Sequence, residues 1–219
     1  NRTCKGAFLM YRKFFKRVID ILGSGFGILF LFPFFVILAL AIKLDSKGPV
    51  FFKQERLGKR GKVFKIIKFR TMVVNAENMG EGLQVSGDDD PRITKVGRFL
   101  RKTSLDELPQ LFNVFGGSMS LVGPRPPATY HPYKFEEYDE EKKRRFDVKP
   151  GITGLAQVTV RNSASWDDRI ALDVKYVEKI TFFKDMKILF KTFFKVLKKD
   201  GIYAPTQEEK REEDGAENE

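Results

Sequence analysis

The sequence predicts an α+β protein: a mostly helical domain with a small β-hairpin or sheet, an N-terminal apolar helix long enough to enter a membrane, and amphipathic helices suited to a membrane surface. Three observations lead there. Residues 21–42 carry no charged side chain and are dominated by Phe, Leu and Ile, which is long enough to cross a bilayer as a helix. Residues 48–72 contain two apolar runs around a turn rich in glycine and lysine, the pattern of a hairpin. From Val96 onward, apolar residues recur at three- and four-residue spacing in several separate stretches, the period of amphipathic helices. A chain of 219 residues suits one domain with an appendage.

Residues 1–9 read as a leader, native or appended, ahead of a natural-looking start at Met10, and stay outside the fold argument. The apolar run is too long for the usual signal-peptide core, although Ala39-Leu40-Ala41 resembles a cleavage site. Arg12, Lys13, Lys16 and Arg17 flank it on one side; Lys43, Lys47, Lys53, Arg56, Lys59 and Arg60 flank it on the other. Basic residues on both sides are expected when both ends stay cytoplasmic, and Pro33 should kink the helix. A re-entrant hairpin over residues 10–47 accommodates both facts. A spanning helix with a proline kink accommodates them equally well on physical grounds.

In the second hairpin strand, Phe64, Ile66, Lys68 and Arg70 share one face by period-two alternation. Lys68 and Arg70 can thus reach one phosphate together, or stand as two solvated cations at a sheet edge. Asp88-Asp89-Asp90 contains the D-x-D of nucleotide-sugar glycosyltransferases, but Pro91 after it favours a turn or a helix start. Next comes a helix over Val96–Thr103, with Arg98, Arg101 and Lys102 on its polar side.

Ser104-Leu105-Asp106-Glu107-Leu108-Pro109-Gln110 is the centre of the chain. Two carboxylates just before a proline belong at a helix start or break, where both can face one site. Ser104 and Glu107 also fit a capping box, in which first-turn acids merely suit the helix dipole. Leu108, Leu111, Phe112 and Phe115 continue as a short helix closed by Gly116-Gly117. A strand over Met119–Val122 leads to Gly123-Pro124-Arg125-Pro126-Pro127. The prolines around Arg125 present its planar fork with little entropy left to lose, as a bidentate phosphate contact requires.

Residues 130–149 read as a charged, solvated helix, 150–154 as a turn and 155–158 as a strand. Trp166–Lys179 is amphipathic, with Asp173 near its apolar side. Thr181–Leu197 carries Phe on one face and Lys on the other, fit for a membrane surface or for ordinary packing. Residues 201–219, acidic from Gln207 on, are expected to be disordered.

The formal charge of +11 implies a polyanionic partner: nucleic acid, anionic lipid or a phosphorylated substrate. One cysteine, Cys4, rules out an internal disulfide, and one histidine, His131, excludes a His-rich metal cage. Any metal is therefore hard and oxygen-bound, Mg²⁺ or Mn²⁺.

The ordered set is specific. It runs through Gly48-Pro49-Val50-Phe51-Phe52 with Gln54 and Arg56, Lys68-Phe69-Arg70-Thr71-Met72, and Asp90, Arg92, Thr94, Gly97, Leu100 and Arg101. It continues through Ser104 to Gln110, Asn113, Met119 to Pro126, and Lys149 to Gln157. In this the chain resembles the bacterial sugar transferase family, the monotopic phosphoglycosyl transferases that start glycoconjugate assembly on polyprenyl phosphate. Its length resembles the small class.

The resemblance implies an enzyme on the cytoplasmic face of the bacterial inner membrane, with residues 48–200 as the catalytic domain. Such an enzyme moves a sugar 1-phosphate from a UDP-sugar to polyprenyl (undecaprenyl) phosphate through a phosphosugar–aspartate intermediate. It implies Mg²⁺, Asp106 as nucleophile, and Glu107 with Asp106 at the metal. Lys68, Arg70, Arg101, Arg125 and Arg161 fall to substrate and its phosphates, and Asp173 is a further active-site acid. Thr159-Val160 before Arg161-Asn162 departs from a common Asn-Gly, which touches sugar recognition. Anionic lipid and downstream glycosyltransferases are the implied partners, and nucleic acid is not. Two other readings are a D-x-D glycosyltransferase acting on a preformed lipid-linked sugar, and a basic membrane adaptor without activity.

Overall fold

The apolar run folds as one helix, α1 (Lys16–Asp45), entered through a π-helical turn at Tyr11–Phe15 and passing through Pro33 without ending. A lone interior proline removes one N–H and leaves the rest of the ladder intact. The computed structural model that shows this describes residues 10–79, 90–160 and 164–197; the leader, Asp88, Asp89, Arg161 and the acidic tail lie outside them.

Both ends of α1 are tied to the rest of the chain. Near its start Asp20, 3% exposed, accepts from Ser120 Oγ at 3.0 Å and Leu121 N at 2.9 Å. At its last residue Asp45 Oδ2 accepts from Val96 N at 2.9 Å. Between them α1 packs closely because it carries glycines: a Cβ on Gly23 would stand 2.9 Å from Leu121, and one on Gly27 3.2 Å from Leu111. Phe35, Leu38 and Ile42 join Phe69 and Leu100 in a core, while Phe26, Leu29 and Phe30 face outward.

The hairpin is present as β1 (Phe51–Leu57) and β2 (Val63–Phe69), antiparallel with Gln54 opposite Ile66. Next come α2 (Lys95–Lys102), capped by Thr94 Oγ1 on Gly97 N at 3.0 Å, and α3 (Gln110–Gly116). As the glycine pair predicts, α3 ends at Gly117, whose φ is +88°. Arg17 donates to the carbonyls of Val114 and Phe115 in that last turn.

β3 (Ser120–Val122) lies parallel to a strand at Gly151–Thr153. Between these strands the solvated helix expected over 130–149 is not formed. The segment breaks into a 3₁₀ turn at Phe135–Glu137, the short α4 (Glu140–Lys143) and a second 3₁₀ turn at Arg144–Asp147. Burying Tyr138 and Phe146 against Leu57, Ile170 and Val174 breaks up the segment. The strand at Gly151–Thr153 is β4, and the stretch expected as a strand over 155–158 is instead helical, α5 (Leu155–Thr159). A short apolar run reads either way, and β4 already holds the place beside β3.

α6 (Trp166–Glu178) and α7 (Phe182–Leu197) close the domain. Asp185 of α7 is buried and accepts from Tyr11 Oη at 2.8 Å, Lys16 Nζ at 2.6 Å and Tyr176 Oη at 2.7 Å, joining the entry of α1 to α6 and α7. Ile188 of α7 is buried, and Phe183, Phe190 and Phe193 are exposed. Among the described residues the architecture is thus mostly helical, with two small sheets and one long apolar helix.

Candidate active site

Between α2 and α3 the chain turns sharply. Ser104 adopts φ +55°, a left-handed conformation unusual for a non-glycine residue, and Leu105–Glu107 form a single 3₁₀ turn. The Ser104 side chain makes no capping bond, and Glu107 turns away from the Ser104 backbone. The capping box is therefore absent, and the carboxylates are spent on cations instead.

Glu107 Oε1 accepts from Lys68 Nζ at 2.8 Å and from Arg125 at 3.2 Å. Among the described residues Asp106 has only a longer ion pair, Oδ2 to Lys68 Nζ at 3.8 Å. These surroundings drive the two acids apart. Burial raises the Asp106 carboxyl, Lys68 and Arg101 oppose that, and the charge on Glu107 adds to it. Burial also works against ionised Glu107, but Lys68 and Arg125 outweigh it and hold that carboxyl at about 2. Glu107 in turn raises Arg125 above its ordinary value.

The turn is a wall between two clefts. Asp106 lines one of about 370 Å³, with Lys68, Arg101, Arg56 and Phe52. Glu107 lines the other, of about 500 Å³, with Arg125, Asp173, Trp166, Arg169 and Lys195. Arg101 Nε donates to Thr71 Oγ1 at 3.0 Å, which fixes its base beside Asp106. In the second cleft Asp173 pairs with Arg145 at 2.6 Å, both buried. Burial pushes the Asp173 carboxyl up to about 6, with Arg145 pulling it down.

Six of the residues singled out from sequence thus gather around the turn: Lys68, Arg101, Asp106, Glu107, Arg125 and Asp173. Arg70 lines the cleft of Asp106 as well, with its guanidinium engaged by backbone carbonyls. Lys68 goes to the carboxylates, whereas the Arg70 guanidinium donates to the carbonyls of Ser46 and Lys47, just past α1. Arg161 lies outside the described residues. Asp90, the one described member of the D-x-D, accepts from Arg92 at 2.6 Å, as a turn cluster does.

Sequence reasoning missed Arg145. Its Nη2 holds both Asp173 and, at 2.9 Å, the carbonyl of Arg125. In the run Lys142-Lys143-Arg144-Arg145 nothing marks one cation as buried. Arg56, in sequence a flanking cation and part of the motif, is lowered by burial to about 10 beside the first cleft.

The profile of the family described as "Bacterial sugar transferase" matches residues 11–199. The galactosyl transferase CpsE of Streptococcus agalactiae is 43% identical over 83% of this chain and 42% of its own length. The undecaprenyl-phosphate galactose phosphotransferase of Salmonella typhimurium is 41% identical over 87% of this chain, again 42% of its length. An uncharacterized sugar transferase of Bacillus subtilis, EpsL, is 45% identical over 85% of this chain and 89% of its own. The chain therefore spans about two fifths of some relatives and nearly all of another.

Proposed function

The chain belongs to the bacterial sugar transferase family, and on that premise we propose that it transfers a sugar 1-phosphate from a UDP-sugar to polyprenyl phosphate, releasing UMP. The observation that carries this reading is the split state of the two neighbouring acids. Glu107 is committed to two cations, while Asp106 keeps only a 3.8 Å ion pair and a raised carboxyl of greater basicity.

The chemistry follows from those roles. An Asp106 oxygen attacks the sugar-bearing phosphorus, the bond from that phosphorus to the bridging oxygen breaks, and UMP departs with that oxygen. The sugar phosphate remains on Asp106 as an acyl phosphate. An oxygen of polyprenyl phosphate then attacks the same phosphorus and Asp106 leaves as a carboxylate. The bond between sugar carbon and oxygen is never broken, so the anomeric configuration is retained. Lys68, Arg101 and Arg125 supply fixed positive charge where negative charge accumulates. A nucleophile on the wall between two clefts suits substrates that arrive in turn.

The donors fit Mg²⁺. Asp106 and Glu107 are adjacent and offer only oxygen, and both ion pairs of Glu107 use Oε1, leaving Oε2. Substrate phosphates and water would complete the shell of such an ion. When bound, it would neutralise charge on the diphosphate.

The same reading places the enzyme on the cytoplasmic face of the membrane, with α1 entering and leaving on one side. Both ends of α1 are bonded to a single domain, through Asp20 and Asp45, and both flanks are basic. The lysines of α7 suit anionic lipid, and the product would pass to glycosyltransferases. Relatives named for galactose and for glucose leave the sugar open.

The test uses a panel of UDP-sugars with Mg²⁺ and no polyprenyl phosphate. Wild type should release UMP to one equivalent and gain a sugar phosphate that peptide mapping places on Asp106. Asp106→Asn should bind donor yet lose turnover by roughly three orders of magnitude or more. Release of UDP would indicate glycosyl transfer instead. A wild type without adduct and with sequential kinetics would reduce Asp106 to a metal ligand.

A further inference from the structure

We infer that Arg70 is a positioning residue, through which the exit of α1 holds the cations beside Asp106 in register; the inference rests on the transferase reading above. Arg70 is 5% exposed. Its Nη1 donates to the carbonyl of Lys47 at 2.7 Å, and its Nη2 to Ser46 O at 2.7 Å, Ser46 Oγ at 2.9 Å and Ile42 O at 3.4 Å. Ile42 lies in the last turn of α1, and Ser46 and Lys47 follow directly after it, where the helix dipole favours a cation. The backbone is shaped to admit the guanidinium: Gly48 holds φ +127°, and a Cβ there would collide with Arg70 Nη1. A substrate phosphate would have to compete with four acceptors already in place.

The residues on either side of Arg70 serve the site. Lys68 pairs with Glu107 and Asp106. Phe69 packs edge-on against Phe35 of α1. Thr71 accepts from Arg101 Nε. The exit of α1 also grips the second cation-bearing element, because Asp45 accepts from Val96 N in the first turn of α2 and Arg101 lies in its last. One helix end therefore anchors the segments that carry both Lys68 and Arg101. Loosening it shifts both relative to the attacking oxygen, and a displacement of about 1 Å costs up to ~100-fold in rate.

The test compares wild type, Arg70→Met, Arg70→Lys, Lys68→Met and the Arg70→Met/Lys68→Met pair, as full chains in lipid nanodiscs. UMP release and hydrogen exchange are measured for each. Arg70→Met should lower kcat about tenfold or more while KM for the UDP-sugar changes little. Arg70→Lys should recover part of that loss, since an ammonium still meets one or two carbonyls. In the Lys68→Met background the further loss from Arg70→Met should be smaller than in wild type, because the part that acts through Lys68 is already gone and only the part through Arg101 remains.

Exchange in Arg70→Met should quicken at residues 46–50, 68–72 and 95–101 and stay unchanged elsewhere. Unchanged kcat, a raised KM with kcat intact, a full multiplicative loss on Lys68→Met, or exchange that rises evenly along the chain would each overturn the inference. A wild type that releases no UMP from any UDP-sugar would sink the transferase reading instead, and the exchange pattern would then decide the positioning role alone.

Discussion

At the scale of single residues, the site works by giving chemically similar groups different surroundings. Asp106 and Glu107 are neighbours in sequence, yet only Glu107 is clamped by two cations. Lys68 and Arg70 lie two positions apart, and one meets the carboxylates while the other ends a helix. Asp173 shows the same principle in a titration. Its carboxyl sits at about 6 against an ordinary 3.8, chiefly through burial. Between these values the folded protein holds a proton that the unfolded chain has released, so this group favours folding at low pH. That contribution is lost as pH rises from about 4 to about 6, and nothing further changes above. Wild type should therefore lose more thermal stability over that interval than Asp173→Asn, whose amide does not titrate. Parallel slopes of melting temperature against pH in the two proteins would contradict this.

At the scale of elements, α2 matters for how closely it approaches the segment just after β2. Gly97 rests on the backbone of Thr71: a Cβ there would collide with the Thr71 carbonyl oxygen and stand 2.7 Å from its Cα. Backbone cannot swing aside as a flexible side chain can. Gly97→Ala should therefore push α2 outward, destabilise the protein by about 1–3 kcal/mol, and slow turnover by displacing Arg101. Gly116→Ala is the matched control, since a Cβ there has nothing within 4 Å. Calorimetric scans should show a lowered melting temperature for the first and almost none of that drop for the second.

At the scale of the whole molecule, the question is how a helix of 30 residues, about 45 Å if straight, is shared between membrane and domain. Asp20, Arg17, Asp45 and the carbonyls that receive Arg70 bind it to the domain at both ends. The outward Phe and Leu side chains remain for lipid. Single cysteines at Met10→Cys and Lys53→Cys, each in a Cys4→Ser background, should both be shielded from an impermeant thiol reagent in intact cells. Labelling at position 10 alone would establish a spanning helix.

The sequence by itself determined the apolar helix, the hairpin, the short helix closed by Gly117, and the meeting of Asp106 with Glu107 before a proline. Each of these rests on composition, period or turn chemistry within a dozen or so residues. The ordered motifs were enough to indicate the family. Only the tertiary structure decided that Glu107 and not Asp106 is clamped, that Arg145 is the partner of Asp173, that the Arg70 guanidinium is held by Ser46 and Lys47, and that residues 155–158 are helical. The reason is physical. Periodicity assigns a side chain to a face but not to a partner, and a long cation can reach several acceptors. Which one it takes depends on elements brought beside it from far along the chain, as Arg70 is directed by Ser46 and Lys47, and Lys68 by a turn 39 residues away.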